Sequence, residues 1–409
     1  MTQKTKFGDT YNCINYYDQP AFDHPSLKNQ KFEYQMRPSR NHSIDSIWVN
    51  GYGCPSGTVP FRPVTKDDLI RAKLASQMNS LKFSPQSDVH PGLHSALLRT
   101  KVNPSKKYKG AHMLTSIYNP SVENNQVSSS RLKLQNGPDT MEVGWTVNPT
   151  LYKDNKTRLY IYTSVRSCYN TLCSAPGFIL ETSEIPLDYI FPQISQRGGA
   201  TFSTGFFVYK DSKNGDWYLQ VGTQGIEIGR WPQKIFSALA DSASHVEWGG
   251  QVITPTDVPS PEMGSGDGPP LLLNDKQDAA CYQINVVDEN YKQVNPDDTE
   301  AFTDIGGIYD AVDLGLRGQF GRLMYHDDDG EPLMDYYDVS GQSPEPRQDN
   351  LLDDDALEDE NVDWDRERSS TPLYEPDKVG KLRKSLVKKG DNGGGGDSGQ
   401  VPRAGTSGR

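Results

Sequence analysis

The sequence has no apolar run approaching the roughly 20 residues that a membrane-spanning helix needs. Its start, "MTQKTKFGDTYNC", lacks the apolar core of a secretory signal. Positive charge is in short supply: 42 Lys and Arg stand against 54 Asp and Glu, a net charge of -12. An acidic surface draws neither nucleic acid nor anionic lipid, so neither nucleic acid nor membrane is expected as a partner. Long runs with a helical period are scarce. The Cys and His spacings match no zinc pattern. "YHDDDGEPLMDY" offers Asp327, Asp329 and Gly330 to a calcium loop, but Tyr325 and Tyr336 fall at the first and twelfth ligand positions. "GSG" at 264–266 lacks two fixed positions of a nucleophile elbow. No metal and no cofactor are expected.

What is present is a chain of 409 residues, rich in Tyr (21), Gly (37) and Pro (28), long enough for two units plus tails. Residues 1–80 read as a small mixed opening unit. "IWVNGYGCPSGTVPFRP" suggests two short strands around a turn. "VTKDDLIRAKLASQ" suggests a helix capped by Thr65 with Asp68 three residues on, and an apolar side of Leu69, Ile70, Ala72 and Leu74. Residues 81–107 have no clear period and read as a linker, where proteases cut. Residues 108–315 hold short alternating segments ending in Asn, Gly, Pro or Asp, with an Asn-Gly hairpin signal in "KDSKNGDW" and a last strand pair around 281–294. That pattern predicts an all-β domain, an antiparallel β-sandwich. Residues 316–409 are acidic, then Gly-rich, and are expected to stay disordered.

Side chains on a strand alternate between faces. In "MEVGWTV" one face carries Glu142, Gly144 and Thr146 and the other Val143, Trp145 and Val147. In "HVEWGGQV" one face carries His245, Glu247, Gly249 and Gln251 and the other Val246, Trp248, Gly250 and Val252. Each strand thus sets one glutamate beside small or hydrogen-bonding residues, and glycine leaves room for a substrate backbone. Were the strands close, the two carboxyls would not both ionise easily; one would activate water and the other would protonate a leaving amine. The competing reading is two isolated carboxylates on the wet face of a sheet. Trp145 and Trp248 point to the core. Trp231 lies at a turn and could reach a cleft, and His245 could tune Glu247.

Five cysteines, Cys13, Cys54, Cys168, Cys173 and Cys281, allow two disulfides and one thiol, or five reduced thiols. Sequons stand at Asn41 and Asn155.

"CINYYDQPAFDHPSLKNQ", "NGYGCPSGTVPFRP" and "TKDDLIRAK" resemble the activation peptide of the plant neprosin family. "MEVGWTVNPTLYKDNKTRLYIYT", "CYNTLCSAPGFI", "GRWPQKIFSALADSASHVEWGGQV" and "PEMGSG" resemble its catalytic domain. The match runs in order over roughly residues 11–312. The resemblance implies a secreted or vacuolar, acid-active glutamic endopeptidase that cuts after proline. Its catalytic pair would be Glu142 and Glu247. From their own positions, Gln251, Trp231 and His245 are the candidates for substrate contact. The resemblance implies proline-containing peptide substrates and the chain's own propeptide as intramolecular inhibitor, removed in acid. It also favours the oxidised cysteines: Cys13 with Cys54, and Cys168 with Cys173.

Four departures stand out: Gln251 where an acid is common, Arg230 where an aromatic is common, a short loop before "CYNTLC", and "IYD" around Tyr309 in place of the family's "CYD", which leaves Cys281 without an obvious mate. They feed an alternative, a catalytically inactive β-sandwich binding protein of the extracellular space. The foreign tail and the absent signal are the expectation of an altered or incomplete gene.

Overall fold

The computed structural model describes residues 1–28, 47–80, 92–103, 105–123, 125–196, 199–255, 258–266 and 279–328. Asn41, residues 81–91 and 104 of the predicted linker, and nearly all of the predicted tail lie outside them. The opening unit is a three-stranded antiparallel sheet followed by a helix: β1 (Thr2–Lys4), β2 (Thr10–Asn15), β3 (Thr58–Phe61) and α1 (Lys66–Ser80). A Cys13–Cys54 disulfide ties β2 to the turn before β3. Thr65 and Asp68 cap α1 reciprocally: the Asp68 N–H donates to Thr65 Oγ1 at 3.2 Å and the Thr65 N–H to Asp68 Oδ2 at 2.7 Å.

The body follows as β4 (Leu93–Thr100), β5 (Gly110–Ser116), β6 (Val127–Asn136), β7 (Asp139–Val147), α2 (Pro149–Tyr152), β8 (Arg158–Thr163), β9 (Cys168–Tyr169) and β10 (Ile179–Leu180). It continues with β11 (Ser203–Lys210), β12 (Trp217–Val221), β13 (Ile226–Trp231), β14 (His245–Ile253), β15 (Ala280–Val287), β16 (Gln293–Val294), β17 (Thr299–Thr303), β18 (Tyr309–Leu316) and β19 (Arg322–Asp328). Two antiparallel sheets result. One runs β17-β4-β14-β6-β7-β8-β9, the other β10-β13-β12-β11-β5-β15-β19-β18, with β16 beside β15. This is the antiparallel β-sandwich that the alternating segments predict.

The core lies between the sheets. From the first come Leu132, Leu134, Val143, Trp145, Val246 and Trp248; from the second Met113, Phe206, Val208, Trp217, Leu219 and Trp231, all essentially inaccessible. Two indoles stitch the layers, because a buried indole N–H needs an acceptor. Trp145 Nε1 donates to the Ser116 carbonyl at 2.8 Å and Trp248 Nε1 to that of His112 at 3.1 Å, both on β5.

The domain boundaries shift at both ends. β4 lies within the stretch expected to be a linker, yet it sits inside a sheet, paired with β14 on one side and β17 on the other. Its sequence, "LHSALLRT", is short and flanked by Gly, Pro and Lys, which hid it. β19 lies beyond the expected end at 315 and pairs with β18 and β15. The acid-rich "HDDD" disguised it, although His326 and Asp327 are fully buried.

Candidate active site

The register of five strands builds one polar face. Lys133 on β6 is directly opposite Glu142 on β7 and Glu247 on β14. Glu247 is in turn opposite Arg99 on β4, and Arg99 opposite Glu300 on β17. Directly opposed residues share a face, so a row of alternating charge crosses the sheet: Glu142, Lys133, Glu247, Arg99, Glu300. Tyr162 on β8 stands at its end, opposite Glu142. The next row on this face is Tyr160, Gly144, Arg131, Gly249 and Leu97, and the one after holds Thr146, Ser129, Gln251 and Ser95.

The two predicted glutamates therefore do share a face, as their phase requires, but they do not abut. They are two strand spacings apart, about 10 Å between backbones, and the Lys133 stem rises between them. Glu247 is surrounded by cations. Arg131 Nη2 donates to its Oε2 at 2.6 Å, Lys133 Nζ to its Oε1 at 2.8 Å, and His245 Nε2 lies 3.3 Å from Oε1. Burial opposes the charge on Glu247, but Lys133 and Arg131 outweigh it and hold the carboxyl well below the usual range. Burial also draws the Lys133 ammonium below its ordinary value, against the pull of Glu247. The proton-sharing pair expected from two adjacent carboxyls is replaced by a compensated cluster. Glu247 is an ionised member of it, and Glu142 acts on Arg131, Lys133 and the neighbouring tyrosines through its charge. Burial and Glu142 push the Tyr162 phenol up to about 12.

His245 falls where its phase predicts, beside Glu247, with Nδ1 3.2 Å from Thr100 Oγ1. Gln251 is on the same face, two rows from Glu247 and buried. Trp231 does not reach this face. It is fully buried between the sheets, with its ring 4.6 Å from that of Phe178, because an apolar indole at the end of β13 finds its partners inside. Arg230 belongs to the other sheet and pairs with Glu181 at 2.6 Å. Arg131 and Lys133 were missed in the sequence, although "SSSRLKLQ" gives their phase plainly: Ser129, Arg131 and Lys133 alternate with Ser130, Leu132 and Leu134.

The opening unit docks beside this face. Ala72 and Ala75 of α1 pack against Leu151, Tyr160, Tyr162 and Tyr169. The helix thus presents its small side to the tyrosines, while Leu69, Ile70 and Leu74, expected to be its apolar contact, are exposed. Small residues allow the closer approach that bulky rings need. Elsewhere the unit is clamped by Asp9 with Arg158 (2.9 Å), Arg62 with Asp188 (2.6 Å) and the Tyr11 hydroxyl donating to Asp188 (2.9 Å). Gln19 exchanges two hydrogen bonds with the Leu180 backbone.

Cys168 and Cys173 form the second disulfide and Cys281 is a buried free thiol. Asn155 is exposed, its amide donating to the Val122 carbonyl at 3.2 Å, while the sequon's Thr157 is buried. Among the described residues no cluster of His, Cys, Asp or Glu has the makings of a metal site.

Comparison with known proteins follows the same division of the chain. Residues 124–326 match the family model of Neprosin, and residues 2–106 that of the Neprosin activation peptide. Among solved structures the chain is similar to scytalido-glutamic peptidase with a peptide-based transition state analog, at 10% identity and a TM-score of 0.32, covering 59% of this chain and 99% of that one. It is similar also to SCP-B, an eqolisin-family peptidase in complex with the tripeptide Ala-Ile-His, at 8% identity and a TM-score of 0.31, covering 59% and 99%. A stretch of 66 residues, 16% of the chain, is 52% identical to Protein IWS1 homolog 1 of Arabidopsis thaliana. The chain spans 13% of that protein's length.

Proposed function

Because the chain belongs to the neprosin family, we propose that it is a glutamic peptidase made as a self-covered precursor, acid-active and cutting after proline. The observation that carries the reading is the register placing Glu142 and Glu247 on one face, with α1 of the activation segment seated against the tyrosines next to Glu142. In this reading Glu247, held ionised by its cations, is the acceptor that orients water. Glu142 is the member that carries a proton to the leaving amine. The two act as a unit, so loss of either removes turnover. The tyrosines uncovered when α1 leaves, Tyr160 and Tyr162, offer flat faces to a proline ring. Processing falls before Leu93, because a cut after β4 would strip an inner strand from the catalytic sheet. The two disulfides suit an extracellular or vacuolar protein.

The test is hydrolysis of a proline-containing peptide by acid-treated full-length protein, with Glu142→Gln and Glu247→Gln as comparisons. Turnover unchanged in either variant defeats the assignment.

A second reading has its own observation. Lys133 stands between the two carboxylates, and Arg131 beside it, so the cluster has no need to hold a shared proton. On that reading the face binds peptide without cutting it. Lys133→Met separates the two: it raises turnover if the cation merely restrains an acid pair, and leaves a wild-type protein without turnover still without it if the face is a binding surface.

A further inference from the structure

Arg131 is only 2% exposed, and its guanidinium is only partly used. Nη2 donates to Glu247, while Nε and Nη1 are buried and meet no acceptor among the described residues. A buried guanidinium N–H without a partner costs free energy, and native proteins rarely keep two. Its ladder neighbours supply no side-chain acceptor. The residues directly opposite Arg131 on both neighbouring strands are Gly144 and Gly249, which carry no side chain. Gly144 cannot be exchanged for a larger residue, since a Cβ there would come within 2.1 Å of the Ser130 carbonyl oxygen. Gly144 and Gly249 thus leave the Nε and Nη1 donors of Arg131 without a side-chain partner on either flanking strand.

From this we propose that Arg131 is a positioning residue that holds a main-chain carbonyl oxygen of a bound peptide. The inference rests on the reading of this face as a peptide cleft. Charge decides the class of acceptor. Arg131 is already ion-paired with Glu247 through Nη2. A second carboxylate at Nε or Nη1 would sit against the ionised Glu247, whereas an amide oxygen satisfies the N–H groups without adding a charge. An oxygen held at Nε or Nη1 also lies beside the Glu247 carboxylate, which brings a bound amide to the glutamate proposed to orient water.

The test uses the full chain after acid treatment, without separation of any fragments. N-acetylprolinamide is the uncharged probe and N-acetylproline the anionic one, their binding measured by titration calorimetry or ligand-observed NMR. Arg131→Lys keeps the positive charge facing Glu247 but removes the guanidinium donors. Arg131→Gln, which keeps one amide donor, serves if the lysine variant fails to fold. Wild type is expected to bind the amide at least about tenfold more tightly than Arg131→Lys, the least that losing a charge-assisted hydrogen bond gives. It is also expected to prefer the amide to the acid. Affinities within twofold between wild type and Arg131→Lys overturn the proposal, as does a wild type that binds no amide or prefers the acid. Binding as expected with no cleavage of longer proline peptides would sink the peptidase reading alone.

Discussion

Replacing Glu247 by glutamine tests the charge cluster directly. Glu247 accepts from Arg131 and Lys133, both about 2% exposed, so the substitution leaves two buried cations with one fewer counter-charge. A glutamine oxygen can keep one of those donors, while its NH2 group turns a donor toward the other. Breaking a buried ion pair by removing one partner costs about 3–5 kcal/mol. The assay is urea unfolding followed by tryptophan fluorescence, with the expected change in the midpoint and not in the slope. Adding Lys133→Met should recover part of the loss, because the unpaired ammonium goes with it. The pH dependence has a definite sign. The folded-state pKa of Glu247 is depressed, so its contribution is full above the unfolded value of 4.5 and is lost only as pH falls through the lower folded value. The gap between wild type and variant should therefore be the same at pH 7 and pH 5 and close only in stronger acid. A gap under about 1 kcal/mol at neutral pH, or one that closes above pH 5, would refute the cluster as an ionised, desolvated unit.

Three other outcomes are expected. Ala75→Leu overfills the contact between α1 and the tyrosines, at about 1–3 kcal/mol; partial proteolysis should release the helix sooner, whereas Leu74→Ala on its exposed side should not. Asp139→Ala removes the Oδ2 acceptor shared by the Ser237, Ala238 and Leu239 N–H groups and the Ser237 hydroxyl, and should lower unfolding free energy by about 2–4 kcal/mol in denaturant titrations. Burial pushes the Cys281 thiol up to about 11, so a thiol reagent should label no cysteine in the native protein and one after unfolding without reductant.

Period-two alternation made the sandwich legible, and it also gave the shared face of Glu142 and Glu247, since phase follows from the pleat alone. What lay between them was not legible. Which strand separates β7 from β14 depends on sheet order, and that is set by long-range pairing rather than by any local pattern. Lys133 and Arg131 gain their place in the site only because β6 lies between β7 and β14. The misread side of α1 has a similar cause. Propensity marks a helix, but the choice between its leucines and its alanines depends on the tyrosines across from it. Trp231 was undecided because a residue at a strand end can turn either way, and only the opposing sheet decides.

The alternating row from Glu142 to Glu300 has a consequence for how the sequence can drift. Each charge is compensated by neighbours that lie elsewhere in the chain: Lys133 by Glu247, and Arg99 by Glu300, whose Oε1 accepts from Arg99 Nε at 2.8 Å. A single charge reversal at 99, 133 or 247 would leave like charges facing across two ladders at once, and one at 142 or 300 across one. Change along this row is expected to come in linked steps at distant positions, so that exchanges at 99, 133, 142, 247 and 300 are inherited together or not at all.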